Sequence, residues 1–259
     1  MSPNDHATRL LTAVYEGDED AVVRLLRSGA SPESVDADGQ TALYLAAVSD
    51  QPGIVRLLLA TGAAPDRLSQ GTDAPLCGAV CGGHTAVVRA LLAAGAGPDI
   101  VEEFGFTALT WALRRGHTQV TEALLAAGAD PDRPGPTGET PLVAAARRGS
   151  PGCVRALLAH GAGAKPEALA EARRWLALDV EAELRASLAR AHGAGHPSST
   201  RRYPADDGVD GTDRADGAGG ITVEVLLLDA EGRPFAGDDQ QTGHAEIAGL
   251  LEAALGTAR

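Results

Sequence analysis

The 259-residue sequence predicts an all-α solenoid of stacked helix-turn-helix units with turn or hairpin fingers, followed by a small C-terminal tail with one strand and one helix. Three observations lead there. A Gly-Ala pair recurs every 33 residues, at Gly29-Ala30, Gly62-Ala63, Gly95-Ala96, Gly128-Ala129 and Gly161-Ala162. A Leu pair stands four residues before each glycine, from Leu25-Leu26 to Leu157-Leu158. Only eight residues are aromatic, so a core must be built from Leu, Val and Ala. A fixed period of this size marks a repeat architecture in which no unit buries its apolar face alone and stacking supplies the core.

Each period divides in the same way. Thr41 begins Thr41-Ala42-Leu43-Tyr44-Leu45-Ala46-Ala47 as a capping residue, and helix formers follow. A break falls at Gly83-His84 or Gly116-His117. A second stretch with helical spacing comes next, such as Val87-Val88-Arg89-Ala90-Leu91-Leu92. The glycine after it suits a left-handed helix end. A polar, Pro-containing turn then leads on. Five units are expected, at 7–30, 31–63, 64–96, 97–129 and 130–162.

Residues 166–192 read as two more helices. Pro166 suits a first turn, and Asp179 suits an N-cap before Val180, Leu184 and Leu188. They are expected to form a degenerate sixth unit that closes a 7–192 repeat domain, since a solenoid needs an atypical end. Residues 193–220, rich in Gly, Asp, Ser and Pro, read as a flexible linker. Within the tail, 221–259, Ile221 to Leu228 reads as a strand. Asp229-Ala230-Glu231-Gly232-Arg233 repeats the form of the inter-unit turn Asp36-Ala37-Asp38-Gly39-Gln40. Gly243 to Leu251 repeats the second-helix pattern, while Phe235 to Thr242, where a first helix would stand, is too polar for one. A piece this short rarely folds alone, so the tail is expected to dock on another surface or on a partner.

The pattern resembles the ankyrin repeat. That family's Gly-x-Thr-Pro-Leu-His-x-Ala-Ala signature is most complete at Gly138-Glu139-Thr140-Pro141-Leu142-Val143-Ala144-Ala145-Ala146, and Gly105 to Leu109 and Gly39 to Leu43 match in part. Gly128-Ala129-Asp130-Pro131 has the form of its inter-repeat turn. The second full repeat departs: Gly71 lies one residue early, and Gly78 replaces the usual Leu.

The charge balance is −13, from 22 basic and 35 acidic residues, so nucleic acid is not an expected partner. Three cysteines cannot form a disulfide framework, which fits a reducing compartment, and cytoplasmic localisation is expected. No signal peptide and no membrane association are expected. No phosphate-binding loop, zinc-hydrolase helix or nucleophile elbow is present, so no catalytic residue and no cofactor are assigned. Cys77, Cys81 and His84 have metal-ligand spacing but lack a fourth ligand, and no metal site is assigned. Cys153 reads as a small core residue. The run Asp207, Asp210, Asp213, Asp216 reads as solvated chain.

In the family that the sequence resembles, partners contact turn tips and exposed positions of the first helix. Carried over by position, the resemblance implies protein-binding roles for Asp38, Gln40, Glu103, Phe104, Phe106, Trp111, Arg114, Arg115, Glu139, Arg147 and Arg148. The four turns hold eleven acidic residues against Arg67 and Arg133, a balance of −9, which would either attract a basic protein surface or simply favour solubility. Arginines beside Phe104, Phe106 and Trp111 form a composition common in binding hot spots. Trp111 has a second reading, as a ring filling space left by Gly78. The leading expectation is a monomeric, non-enzymatic scaffold or adaptor that binds a partner protein on its concave surface. The alternative is a regulatory or inhibitory protein whose C-terminal tail docks on and occludes that groove.

Overall fold

The structure, a computed structural model, describes residues 3–204 and 221–256. Two compact units divide the chain, Met1–Arg115 with Gln119–Asp130, and Gly116–Thr118 with Pro131–Arg259.

The first unit is built from helix pairs: α1 (Pro3–Glu16) and α2 (Glu19–Arg27), α3 (Ala42–Val48) and α4 (Pro52–Ala60), α5 (Pro75–Cys81) and α6 (Thr85–Ala93), then α7 (Ala108–Arg115) and α8 (Thr118–Ala126). First helices stack on first helices, α1 on α3 on α5 on α7, and second on second, α2 on α4 on α6. Side chains at matching positions make the second-helix core: Ile54, Val87 and Val120, then Leu58, Leu91 and Leu124, each at most 1% exposed. The expected caps are partly realised. Thr41 accepts a hydrogen bond from Tyr44 N at 3.1 Å and Thr107 accepts from Thr110 N at 3.3 Å, whereas Thr140 makes no cap bond. The second helices end, as the pattern predicts, on glycines at positive φ, from Gly29 at 95° to Gly161 at 84°.

A ladder of carboxylates ties successive turns together at the 33-residue period. Glu33 accepts from Ala64 N at 2.5 Å, Asp66 from Gly97 N at 3.0 Å, Asp99 from Asp130 N at 3.2 Å and Asp132 from Gly163 N at 2.7 Å. Four of the eleven turn acids therefore have a structural task, satisfying backbone donors of the next repeat.

In the second unit, α9 (Pro141–Arg148) and α10 (Pro151–Ala159) form the fifth repeat, and α11 (Lys165–Leu176) stacks on α9 as the next first helix. The predicted caps around it hold: Pro166 lies in the first turn of α11, and Asp179 accepts from Ala182 N at 3.2 Å at the start of α12 (Val180–His192). The helix packed against α11 and α10, however, is α13 (His244–Gly256) rather than α12. Its Ile247, Ala248 and Leu251 stand in register with Cys153, Val154 and Leu157 of α10, and all six are buried. His244 Nε2 meets the Arg147 carbonyl at 3.2 Å, just as His84 Nε2 meets that of Val48, three periods earlier, at 3.2 Å. The sixth repeat is thus split, with residues 177–243 inserted between its two helices.

The insertion has its own small core. Strands β1 (Ser198–Pro204), β2 (Ile221–Leu228) and β3 (Pro234–Gln241) form an antiparallel sheet in that order. Alternate residues Val223, Val225 and Leu227 of β2 bury themselves against Leu184 and Leu188 of α12. Two expectations are corrected here. The tail, read as one strand and one helix, holds two strands and a helix: the 235–242 segment, too polar for a first helix, falls largely in β3, because β2 offers an edge that an antiparallel partner satisfies. Residues 198–204 of the expected linker pair with β2, while 205–220, with Asp207 to Asp216, lie outside the described residues. The Asp229–Arg233 turn does copy the Asp36–Gln40 turn. Asp229 N donates to Arg233 O at 2.9 Å and Arg233 N to Asp229 Oδ1 at 2.8 Å, against 3.0 and 2.8 Å in the earlier turn. It joins two strands instead of opening a helix.

Candidate protein-binding surface

The densest group of predicted contact residues lies in the first unit. The turn before α7 is closed by Glu102 N donating to Phe106 O at 2.9 Å and Gly105 N donating to Glu102 O at 2.9 Å. That turn places Glu103 and Phe104 at its exposed tip, Phe104 being 75% accessible. It also folds Phe106 back onto Trp111, the ring centroids 4.4 Å apart. Arg114, one helical turn after Trp111, lies over both rings, 5.3 Å from Phe106 and 5.6 Å from Trp111. Glu102 locks the cluster in place: one carboxylate oxygen accepts Trp111 Nε1 at 2.9 Å, the other accepts Ala74 N at 3.1 Å.

Beside this cluster the face of the first helices is hollowed. A pocket of about 420 Å³ is lined by Tyr44, Val48, Asp73, Cys77, Gly78, Cys81, Gly82, Glu102 and Trp111. Gly78 creates it. A Cβ there would stand 2.7 Å from Val48 Cγ1 and 3.0 Å from Tyr44 Cε2. The space beside Gly78 is thus approached by Tyr44 and Val48, and Trp111 forms a wall of the remaining hollow instead of filling it. Burial, followed by the negative charge of Glu102, pushes the Cys77 thiol far above its ordinary range. Burial also raises Cys81 and Tyr44, with Glu102 acting on both in the same direction, while Arg114 and Arg115 pull Cys81 the other way. These thiols stay protonated and unreactive. Among the described residues no group of three His, Cys, Asp or Glu side chains could hold a metal ion, and the His84 ring faces the Val48 carbonyl and Asp50.

The other predicted residues are placed as follows. Asp38 is exposed at the first turn's tip, and the backbone N–H groups of Asp38 and Gln40 both donate to Asp36 Oδ1. In the second unit, Arg147 is shared by Glu139 at 2.6 Å and Glu171 at 3.0 Å. Burial raises the Glu139 carboxyl, with Glu171 adding to it and Arg147 opposing. Arg148 is 12% exposed in its side chain, because β3 covers it: it pairs with the Asp239 carboxylate and donates to the Asp239 carbonyl at 2.7 Å. Its guanidinium serves the insertion's attachment.

Tyr44, Cys77 and Glu102 went unrecognised as pocket walls. The signal was the Gly78 departure at a position where the other repeats carry Leu45, Trp111 and Ala144.

A family model described as ankyrin repeats (3 copies) matches the chain over residues 10–100 and 76–169. No curated protein sequence matches it. Among the described residues no helix is long and apolar enough to cross a membrane. The match spans more than half of the chain and coincides with the stacked helix pairs, so the protein belongs to the ankyrin-repeat family.

Proposed function

We propose that this protein is a non-enzymatic scaffold or adaptor that holds a partner protein on the turn tips and first-helix face of residues 37–115. Ankyrin repeats are generally protein-interaction modules. The observation that carries the reading is the Phe104–Phe106–Trp111–Arg114 cluster: a large aromatic ring held out at 75% exposure, beside a stacked pair capped by a guanidinium. Nothing in the folded core requires Phe104 to be aromatic, and exposed aromatics beside arginine are the residues that carry binding energy in interfaces.

We assign the C-terminal tail to the scaffold itself, in preference to an occluding segment. The support is the register of α13, which stands where a second helix belongs, and the anchoring of β3 on Arg148 at the C-terminal end of α9.

The test is a photo-crosslinking residue placed at position 104, and separately at Arg56 on the exposed face of α4. The expected result is one protein crosslinked from position 104 and absent from position 56. Capture of that protein should fall at least about tenfold in a Phe104→Ala, Arg114→Ala variant whose circular dichroism is unchanged. Equal capture by the variant would refute the assignment.

A further inference from the structure

We propose that the Gly78 pocket is a receptor for an arginine side chain of the partner, a reading that rests on the scaffold function above. The hollow measures about 420 Å³ and is walled by two aromatic rings, Tyr44 and Trp111, and two carboxylates, Asp73 and Glu102. Among the described residues no cationic side chain lines it. Gly78, at the position that Leu45 and Trp111 hold in neighbouring repeats, lets Tyr44 and Val48 close in on one side of it.

The chemistry of these walls selects the occupant. An acidic side chain would meet Asp73 and Glu102. An apolar one would strip water from both carboxylates with no hydrogen bond in return. A guanidinium is planar, stacks on aromatic faces and presents several N–H donors, while its methylene stem matches the Val48 and Gly78 wall. An ammonium supplies the charge without the plane. Burial is the main cause that holds the protons on Tyr44 and Cys77, and Asp73 and Glu102 add to it on both, while Arg114 and Arg115 act on Cys81 in the opposite sense. The protein displays the complementary contact at the pocket's rim, where Arg114 rests on the Phe106–Trp111 pair.

The test uses the ¹⁵N-labelled full chain and two small probes of equal shape, n-butylguanidinium and the neutral n-butylurea. The reporter is the Trp111 indole N–H, which donates to Glu102 and is assigned by its loss in Trp111→Phe. The expected result is saturable shifts of that signal and of the Gly78 and Gly82 amides with n-butylguanidinium at about millimolar concentration, and at least about tenfold weaker binding of n-butylurea. An Asp73→Asn variant keeps the side chain's shape and leaves intact the two hydrogen bonds that Glu102 accepts. It should lose at least about tenfold in guanidinium affinity with its circular dichroism unchanged. No response to n-butylguanidinium, an equal response to n-butylurea, or an unchanged response in the Asp73→Asn variant would each overturn the arginine pocket. A crosslink that still forms at position 104 in that event leaves the scaffold reading standing. A missing crosslink overturns the scaffold reading whatever the probes show.

Discussion

Leu251→Ala tests whether α13 is the second helix of the sixth repeat. Leu251 is 0% exposed and sits against α10 and α11, in the position that Leu157, also 0% exposed, holds one repeat earlier. Truncating a fully buried Leu removes transfer free energy and leaves a cavity, together about 2–5 kcal/mol. That is a large part of the roughly 5–15 kcal/mol that stabilises a domain. At a urea slope of about 2 kcal/mol per molar, the midpoint should fall by about 1–2.5 M. The chain has two tryptophans, and Trp175 of α11 stacks on His244 with centroids 5.6 Å apart. In a Trp111→Phe background, Trp175 fluorescence therefore reads the α11–α13 pair. Leu251→Ala and Leu157→Ala should lower this transition by similar amounts. A Trp175 midpoint moved by Leu157→Ala but unmoved by Leu251→Ala would refute the split repeat, because a tail held elsewhere would lose its own helix without disturbing α11.

Three further outcomes follow from the same geometry. Gly149→Ala should cost at least about 2 kcal/mol in the same melt, against about 1 kcal/mol for Gly17→Ala; both glycines have φ near 70°, but a Cβ at Gly149 would also stand 2.2 Å from the Gln241 carbonyl, whereas at Gly17 it meets only Gln51 Nε2 at 3.4 Å. Burial holds the His244 imidazole below its ordinary 6.5, with the Arg147 carbonyl and Glu171 opposing. A depressed histidine gives stability that is complete above the unfolded value and lost as pH falls through the folded one, so the exchange protection of α13, corrected for the intrinsic amide rate at each pH, should fall below about pH 6.5, and His244→Gln should flatten that dependence. Asp66→Ala removes one rung of the turn ladder, the bond to Gly97 N, and should cost about 0.5–1.5 kcal/mol by chemical denaturation; no loss would return the turn acids to a solubility role.

The sequence by itself determined everything that depends on local spacing. Helix positions followed from apolar residues at helical intervals, and helix ends from glycines at positive φ, because both are properties of a short stretch of chain. The second-helix character of 244–256 was legible for the same reason, since His244, Ile247 and Leu251 repeat the pattern of His84, Val87 and Leu91. Which first helix it would join was not. Residues 180–192 follow α11 directly and are helical, and only packing against α10 decides that α13, coming after the sheet, takes the place instead. The polar segment 234–241 became a strand because β2 had an unpaired edge, a fact about a neighbour and not about the segment. The same division governs the binding surface. The residues at the turn tips could be counted off by period, but the pocket at Gly78 exists through Tyr44 and Val48 of the preceding repeat, and Arg148 was withdrawn from the surface by Asp239 of β3, far along the chain. Contacts between residues distant in sequence leave no periodic trace, so only the folded chain decides them.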